Sequence, residues 1–264
     1  MFRKLLLCIS FMCAGVATAQ AFDHQLWDDL LKRHVVVIDG GQITKADYAG
    51  FQGQRQDLKQ YLDSVAMVSQ TEFDNWSNDS QLAYLINVYN AWTVELILTK
   101  YPDLDSIKAL GSVFRSPWKK TFIPLFGQEV SLDHIEHDLI RGSVRYNEPR
   151  IHFAVNCASI GCPALRNEAY TPELLDAQLE QQTQLFLQDK SRNRLDGNRL
   201  MVSEIFKWYR KDFEQGWRNT GSLTAFLALY GKALGLDSEQ QTQLQQCEIA
   251  IDFLGYDWQL NDAL

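Results

Sequence analysis

Residues 78–100 read NDSQLAYLINVYNAWTVELILTK, the longest stretch of the chain with apolar residues at helical spacing. We predict a long helix here, ended by Tyr101-Pro102, because a proline cannot continue a helix. Nearly everything around Asn87 and Asn90 is apolar, so at least one of these two amides is expected to be buried.

Shorter elements are predicted on both sides of this helix from periodicity, capping residues and turn signals. Further helices are predicted over residues 24–34, 58–68, 132–145, 171–188, 203–209 and 222–235. Strands are predicted over residues 35–38, 122–130, 150–156 and 249–253, with a hairpin over 194–202. Because helices dominate and the strands are short and scattered, we expect an α+β fold. No repeat or linker interrupts the chain, so residues 22–264 should form a single helix-rich domain with a small sheet.

The first 21 residues have the three parts of a secretory signal peptide. Arg3 and Lys4 form the positive region, and residues 5–16 form an apolar region too short to span a bilayer as a helix. Small residues at the −1 and −3 positions permit cleavage after Ala19 or after Ala21. We therefore expect a periplasmic or secreted protein.

Composition and charge exclude several classes of protein. The net charge is −8, and it becomes −10 without the leader, which carries two cations and no acid. Such an acidic surface argues against nucleic-acid binding. With 46% hydrophobic and 12% aromatic residues, the chain is too apolar to be disordered. No other apolar run approaches the length of a membrane span, so no stable membrane insertion is expected after leader cleavage.

Asn87 and Asn90 lie three residues apart and therefore share one face of the long helix. A buried amide that finds no partner costs about 1–3 kcal/mol. Two interpretations stay open. The amides bond the backbone of a neighbouring loop, or they line a polar pocket and hold a substrate.

Residues 131–141, SLDHIEHDLIR, place a carboxylate among apolar neighbours on a predicted helix. Glu136 lies beside the apolar stripe of that helix, so we expect it to be partly buried and to need a cation or several donors. His137 lies at the edge of the stripe, where it could face a cleft. The alternative is structural: Glu136 forms a salt bridge to Arg141 or Arg150, and His137 is solvated.

Residues 149–163, PRIHFAVNCASIGCP, bring a thiol close to these groups in sequence. On the predicted strand 150–156, His152 and Asn156 share a face. Cys157 follows where the strand gives way to a turn of small residues, which is a good place to present a nucleophile. Thiol catalysis needs a base that forms the thiolate and a third group that holds the base.

The cysteines also allow a structural interpretation. Without the leader the chain keeps Cys157, Cys162 and Cys247, so at most one internal disulfide can form in an oxidising compartment. A bond between Cys157 and Cys162 is feasible, and Cys247 is a competing partner for either. No compact zinc spacing is present, so neither a metal nor another cofactor is expected.

The motifs of these segments together resemble the domain-of-unknown-function 547 family. The matching residues are 83–91 (AYLINVYNA), 131–137 (SLDHIEH), 150–153 (RIHF), 156–159 (NCAS), 162–163 (CP), 205–209 (IFKWY) and 212–213 (DF). The resemblance runs from about Leu26 to Tyr230. Tyr84 stands where the family often has Phe-Trp before Ile-Asn. The resemblance implies one α+β domain and supplies no settled activity.

From the residues themselves we expect a thiol-dependent enzyme, a hydrolase or transferase acting on a small peptide, amide or thiol compound such as glutathione. Cys157 is the predicted nucleophile, His137 the preferred base with His152 second, and Glu136 the group that orients the imidazole. Contacts to the substrate or to an oxyanion are expected from Asn87, Asn90, Arg141, Arg150, Asn156 and Ser159. The alternative is a non-catalytic extracytoplasmic binding module for a small acidic or peptide-like ligand, with Cys157–Cys162 as a structural disulfide.

Overall fold

The computed structural model describes residues 22–112, 115–143 and 145–264. The predicted leader and its cleavage sites lie outside the described residues. The fold is α+β, with many helices and small sheets of two or three strands. Among the helices described, none is both long enough and apolar enough to cross a membrane.

The helices vary widely in length. The α-helices of the described residues are α1 (Gln25–His34), α2 (Tyr48–Gly53), α3 (Arg55–Ala66), α4 (Gln70–Asp74), α5 (Asn78–Leu98), α6 (Leu175–Gln188), α7 (Ile205–Trp208), α8 (Arg210–Phe213), α9 (Leu223–Leu229) and α10 (Ser238–Gln245). A π-helix covers His134–Arg141, and 3₁₀ helices cover Asp39–Gly41, Ile107–Leu110, Pro117–Lys119, Pro149–Phe153 and Trp217–Asn219.

The strands of the described residues form three small sheets that do not join. They are β1 (Val35–Ile38), β2 (Ile43–Ala46), β3 (Ile123–Leu125), β4 (Gln128–Val130), β5 (Arg194–Asp196), β6 (Arg199–Val202) and β7 (Ala250–Phe253). β1 pairs with β2, and β3 with β4, in antiparallel hairpins. β6 lies between antiparallel β5 and parallel β7, so the predicted hairpin near Gly197 is confirmed.

Helix α5 lies at the centre of the larger core, as its composition requires. Seventeen of its 21 residues are buried, and a helix that is apolar on every side must be covered on every side. Ser77 caps it, since its side chain accepts a hydrogen bond from the backbone N–H of Ser80. The predicted helix over 78–100 is confirmed, with an end two residues earlier.

In the described residues the apolar core consists of two clusters, and helix α6 contributes side chains to both, as does one short segment. The first cluster surrounds α5, and the second is built mainly from aromatic and aliphatic side chains of the C-terminal third. The 3₁₀ helix Pro149–Phe153 contributes Ile151 to the first cluster and Phe153 to the second. This segment, together with α6, therefore connects the two clusters.

The predicted strand over 150–156 is wrong, because this segment begins as a 3₁₀ helix. Pro149 starts the turn with its fixed φ, and the Glu148 side chain accepts a hydrogen bond from the N–H of Arg150. Residues 149–153 are buried throughout, so the alternation of apolar and polar residues does not mark two faces of a sheet.

Three predicted helices have different bounds in the structure. The helix predicted over 132–145 is the π-helix His134–Arg141, still preceded by Ser131, whose hydroxyl accepts from the N–H of His134. The helix predicted over 222–235 ends at Leu229, before a turn that finishes with Gly235 at φ +72°. The helix predicted over 171–188 begins only at Leu175.

A candidate active site around Cys157

A cavity of about 240 Å³ lies where the two apolar clusters meet. Its lining includes all four side chains predicted to carry the chemistry, namely Glu136, His137, His152 and Cys157. They come from the π-helix, the 3₁₀ helix and the turn that follows it. The remaining wall is mainly aromatic and includes Tyr89, Trp118, Trp208, Tyr209, Tyr256 and Trp258.

Cys157 and Cys162 form a disulfide, with their Cα atoms 6.0 Å apart. This pairing is one of the alternatives left open by the sequence, and Cys247 is exposed and free. Both cysteines line the cavity, where Cys162 is buried and Cys157 is half-buried. The backbone N–H of Cys157 lies 2.9 Å from Cys162 Sγ, so it can donate to that sulfur.

Two hydroxyl groups lie beside both sulfurs. Tyr256 Oη is 3.1 Å from Cys157 Sγ and 3.2 Å from Cys162 Sγ. Ser159 Oγ is 3.3 Å from Cys157 Sγ and 3.4 Å from Cys162 Sγ. A disulfide sulfur carries no proton, so the hydroxyl groups are the donors. Either hydroxyl is therefore placed to stabilise a thiolate after reduction.

The turn that carries Cys157 is held by residues about a hundred positions later in the chain. The N–H of Ile160 donates to the carbonyl of Gln259, and the N–H of Gly161 donates to the carbonyl of Asp257, both at 2.8 Å. A Cβ at Gly161 would lie 2.9 Å from that Asp257 oxygen and from the Tyr256 ring. The close approach of this backbone therefore requires glycine.

His152 is oriented by a carboxylate. Its Nε2 lies 2.7 Å from Asp212 Oδ2, and its ring stacks on Tyr209 with 4.0 Å between centroids. Burial lowers the pKa of His152, and the hydrogen bond to Asp212 opposes this only in part. Burial alone would raise the pKa of Asp212, but hydrogen bonds from His152 and Arg141 hold it well below its usual range.

These protonation states fix the tautomer of His152. The ionised Asp212 only accepts, so Nε2 of the neutral imidazole must donate to it. The lone pair then lies on Nδ1, which is buried and has no hydrogen-bond partner among the described residues. A histidine held in this way is equipped to accept a proton.

His137 is arranged differently. Its Nδ1 accepts a hydrogen bond of 2.8 Å from Arg141 Nη1, so its basic lone pair is already used. Its Nε2 lies 3.8 Å from Asp133 Oδ1, and Glu136 Oε1 lies 3.8 Å from its Nδ1. The latter distance is too long for a hydrogen bond, so Glu136 does not hold this imidazole in place.

Glu136 is buried, as the helical phasing predicts, with 5% of its surface exposed. The alternative salt bridges to Arg141 and Arg150 are not formed, because Arg141 pairs with Asp212 and Arg150 with other acids. The phenols of Tyr89 and Tyr209 have raised pKa values through burial and through the negative charge of Glu136.

Residues 73–187 match the family described as "Protein of unknown function, DUF547". This segment, 115 of the 264 residues, is similar to the DUF547 family. Comparison with curated proteins and with solved structures gave no match. The DUF547 segment contains α5, the π-helix and the Cys157 turn, and hence the predicted catalytic side chains.

Within the DUF547 segment, the predicted amides bond to backbone. Asn87 donates to the carbonyl of Tyr170 and accepts from its N–H, at 2.8 and 3.0 Å. Asn90 donates to the carbonyl of Ala154 at 3.0 Å and accepts from the N–H of Asn156 at 2.8 Å. Both α5 amides therefore hold loops, and the Asn90 pair holds the segment that leads into Cys157.

The two predicted arginines also have structural partners. Arg141 makes a two-point contact with Asp212, at 2.6 and 3.2 Å, and so supports the carboxylate that orients His152. Arg150 is 3% exposed and pairs with Glu148, Asp176 and Glu180, away from the residues that line the cavity. Neither guanidinium is presented to a ligand there.

Asn156 completes the scaffold of the turn. Its side chain donates to the carbonyl of Pro163 and accepts from the N–H of Ala158, which has a positive φ of +61°. A left-handed alanine is uncommon, and these hydrogen bonds hold it in place. Among the described residues, no three side chains of the His, Cys, Asp and Glu types converge as a metal site needs.

Sequence reasoning missed several residues of the site. Asp212, which orients His152, lies in one of the motifs of the family resemblance but was given no role. Tyr256 and Trp258, near the C-terminal end of the sequence, also line the cavity. No local pattern links them to Cys157, because contacts across a hundred residues leave no periodic signal.

Proposed function

We propose that the cavity is the active site of a thiol-dependent enzyme of the periplasm or extracellular space. It would be a hydrolase or transferase that acts on a small peptide, an amide or a thiol compound such as glutathione. The observation that supports this most is that Cys157 and His152 line the same cavity, and that Asp212 is hydrogen-bonded to the imidazole of His152. A nucleophile, a base and a group that orients the base are the parts such chemistry needs.

The disulfide is the resting form in this proposal. Two equivalents of a small thiol reduce Cys157–Cys162 to two thiols and are themselves joined as one disulfide. Both cysteines line the cavity, and Cys157 becomes the nucleophile because it is the more exposed of the pair. Exchange with a small-molecule disulfide joins Cys157 to Cys162 again and releases that disulfide as two thiols.

The chemical step begins with proton transfer from Cys157 Sγ to Nδ1 of His152. Asp212 stabilises the imidazolium, and the hydroxyl groups of Tyr256 and Ser159 stabilise the thiolate. The thiolate attacks a carbonyl carbon of the substrate, and the imidazolium returns its proton to the leaving amine. Water or an acceptor thiol then takes the acyl group and releases Cys157.

Alkylation at low pH tests this proposal. An ordinary thiol has a pKa near 8.5, so well under about 1% is thiolate at pH 6. After mild reduction, Cys157 should react with iodoacetamide at pH 6 much faster than Cys162 and Cys247, as measured by peptide mass spectrometry. His152→Ala should abolish that reactivity. His137→Ala is the matched control and should keep most of it, because the lone pair of His137 is bound by Arg141.

A second candidate follows from the disulfide itself. In that case the Cys157–Cys162 bond is structural, and the cavity belongs to a binding module for a small ligand. Slow alkylation of reduced Cys157 at pH 6, equal to that of Cys247, would exclude the nucleophile and favour this function.

A further inference from the structure

The charged groups that line the cavity are acidic. Asp133 and Glu136 contribute carboxylates, whereas no lysine or arginine of the described residues belongs to the lining. The two histidines add no fixed positive charge: His152 is neutral because burial lowers its pKa, and His137 accepts a hydrogen bond at Nδ1. A cavity of this composition favours a positively charged ligand.

Glu136 forms no salt bridge with a lysine or arginine of the described residues. It is almost fully buried, and its nearest basic nitrogen is His137 Nδ1 at 3.8 Å. The guanidinium of Arg141 is already bound to Asp212 and to His137. The phenols of Tyr89 and Tyr209 are hydrogen-bond donors to Glu136, but they leave its negative charge in place, and a ligand cation in the cavity would neutralise it.

An aromatic wall lies at the same cavity. We use this name for Trp208, Tyr256 and Trp258, whose ring centroids lie 4.5 to 5.7 Å from each other. Trp208 is 42% exposed, which is unusual for so large an apolar side chain. The Nζ of Lys108 already lies 3.6 Å from the centre of the Trp258 ring, so this wall attracts an ammonium group from the chain itself.

We infer that the cavity binds the ammonium group of its ligand, with Glu136 and Asp133 as counter-ions and the aromatic wall as cover. Because it concerns the substrate, this inference rests on the proposed function and narrows it. Small compounds with a free amine, such as short peptides with an unblocked N-terminus, are preferred. Glutathione, which carries two carboxylates and one amine, and other acidic ligands are disfavoured by the charge of the cavity.

Three probes of similar shape and different charge test the inference. They are 2-phenylethylamine, 2-phenylethanol and 3-phenylpropionate, which are cationic, neutral and anionic at pH 7. Isothermal titration calorimetry on the oxidised protein should show the amine binding at least tenfold more tightly than the alcohol, with the propionate weakest. Added salt should weaken the amine and leave the alcohol unchanged.

Two variants locate the binding group. Glu136→Gln keeps the size of the side chain, and it should weaken the amine at least fivefold while changing the alcohol less than twofold. Trp208→Leu replaces a side chain that is 42% exposed by a smaller apolar one, and it should also weaken binding of the amine. Equal affinities for the three probes, or an amine affinity unchanged in both variants, would overturn the inference.

The outcome is separable from that of the alkylation experiment. Binding is measured with the disulfide intact, when Cys157 cannot attack. Loss of amine selectivity would leave the thiol chemistry standing, and slow alkylation of Cys157 would leave the amine site standing.

Discussion

Replacing Asn90 by alanine should loosen the segment that carries Cys157. The amide of Asn90 holds the carbonyl of Ala154 and the N–H of Asn156, both buried, just before the Cys157 turn. Alanine leaves both backbone groups without a partner. Each buried, unsatisfied group costs about 1–3 kcal/mol, so the free energy of unfolding should fall by about 2–5 kcal/mol.

Asn87 offers a matched control on the same helix. It is equally buried and also holds one carbonyl and one N–H, but both belong to Tyr170, away from the cavity. Asn87→Ala should therefore lower the free energy of unfolding by about 2–5 kcal/mol, as Asn90→Ala does. Only Asn90→Ala should also slow the alkylation of Cys157, because only this change frees the backbone beside the thiol.

Urea unfolding at pH 7 and iodoacetamide mapping at pH 6, on both variants, check this prediction. Two results would contradict it. If both variants kept wild-type stability, the amides would not hold the loops. If Asn87→Ala slowed alkylation as much as Asn90→Ala at equal stability, the effect would come from general loosening and not from the position of Cys157.

Three further predictions follow from charged groups. His24 is buried against the hydroxyl of Tyr61, and burial lowers its pKa from 6.5 to about 3. Between pH 6.5 and 3, the unfolded chain therefore binds a proton at His24 that the folded chain does not bind. The free energy of unfolding keeps its full value above pH 6.5 and falls by up to about 1.4 kcal/mol per pH unit as the pH drops from 6.5 toward 3. Urea unfolding should show that this free energy falls less between pH 7 and pH 5 in His24→Gln than in the wild type. Arg150→Met should lower the free energy of unfolding by about 2–4 kcal/mol. This is less than for a fully buried ion pair, because its partner Asp176 is 80% exposed. The same variant should leave the alkylation rate of Cys157 unchanged. Glu136→Gln should keep the free energy of unfolding within about 1 kcal/mol of wild type or raise it, since no lysine or arginine of the described residues loses a salt bridge. A large decrease in urea unfolding would show that Glu136 has a cationic partner and would contradict this prediction.

Local signals in the sequence predicted the elements that local physics determines. Helix α5 is found because its apolar spacing and its proline stop lie within 25 residues or so. The segment 150–156 is missed because alternation indicates a strand only where one face is buried and the other is not. There, the chain is buried throughout residues 149–153, so Pro149 and the cap from Glu148 decide its conformation.

The candidate site divides in the same way. The sequence places Glu136, His137, His152 and Cys157 close together along the chain, and the structure brings them to one cavity. The sequence predicted His137 as the preferred base, whereas the proposed function uses His152, because the choice depends on which partner each imidazole meets. Asp212 meets His152 from 60 residues away, and that contact has no signature in residue spacing.

The cavity has a consequence for how this protein can be divided. Of its 15 lining residues, five lie beyond the DUF547 segment, at positions 205, 208, 209, 256 and 258. The backbone partners of Ile160 and Gly161 lie beyond it too. A fragment ending at residue 187 would keep Cys157 and Cys162. It would lose part of the cavity lining and the backbone hydrogen bonds that hold the turn between the two cysteines. The family segment is thus a unit of resemblance, whereas the unit that could bind a ligand extends to about residue 260.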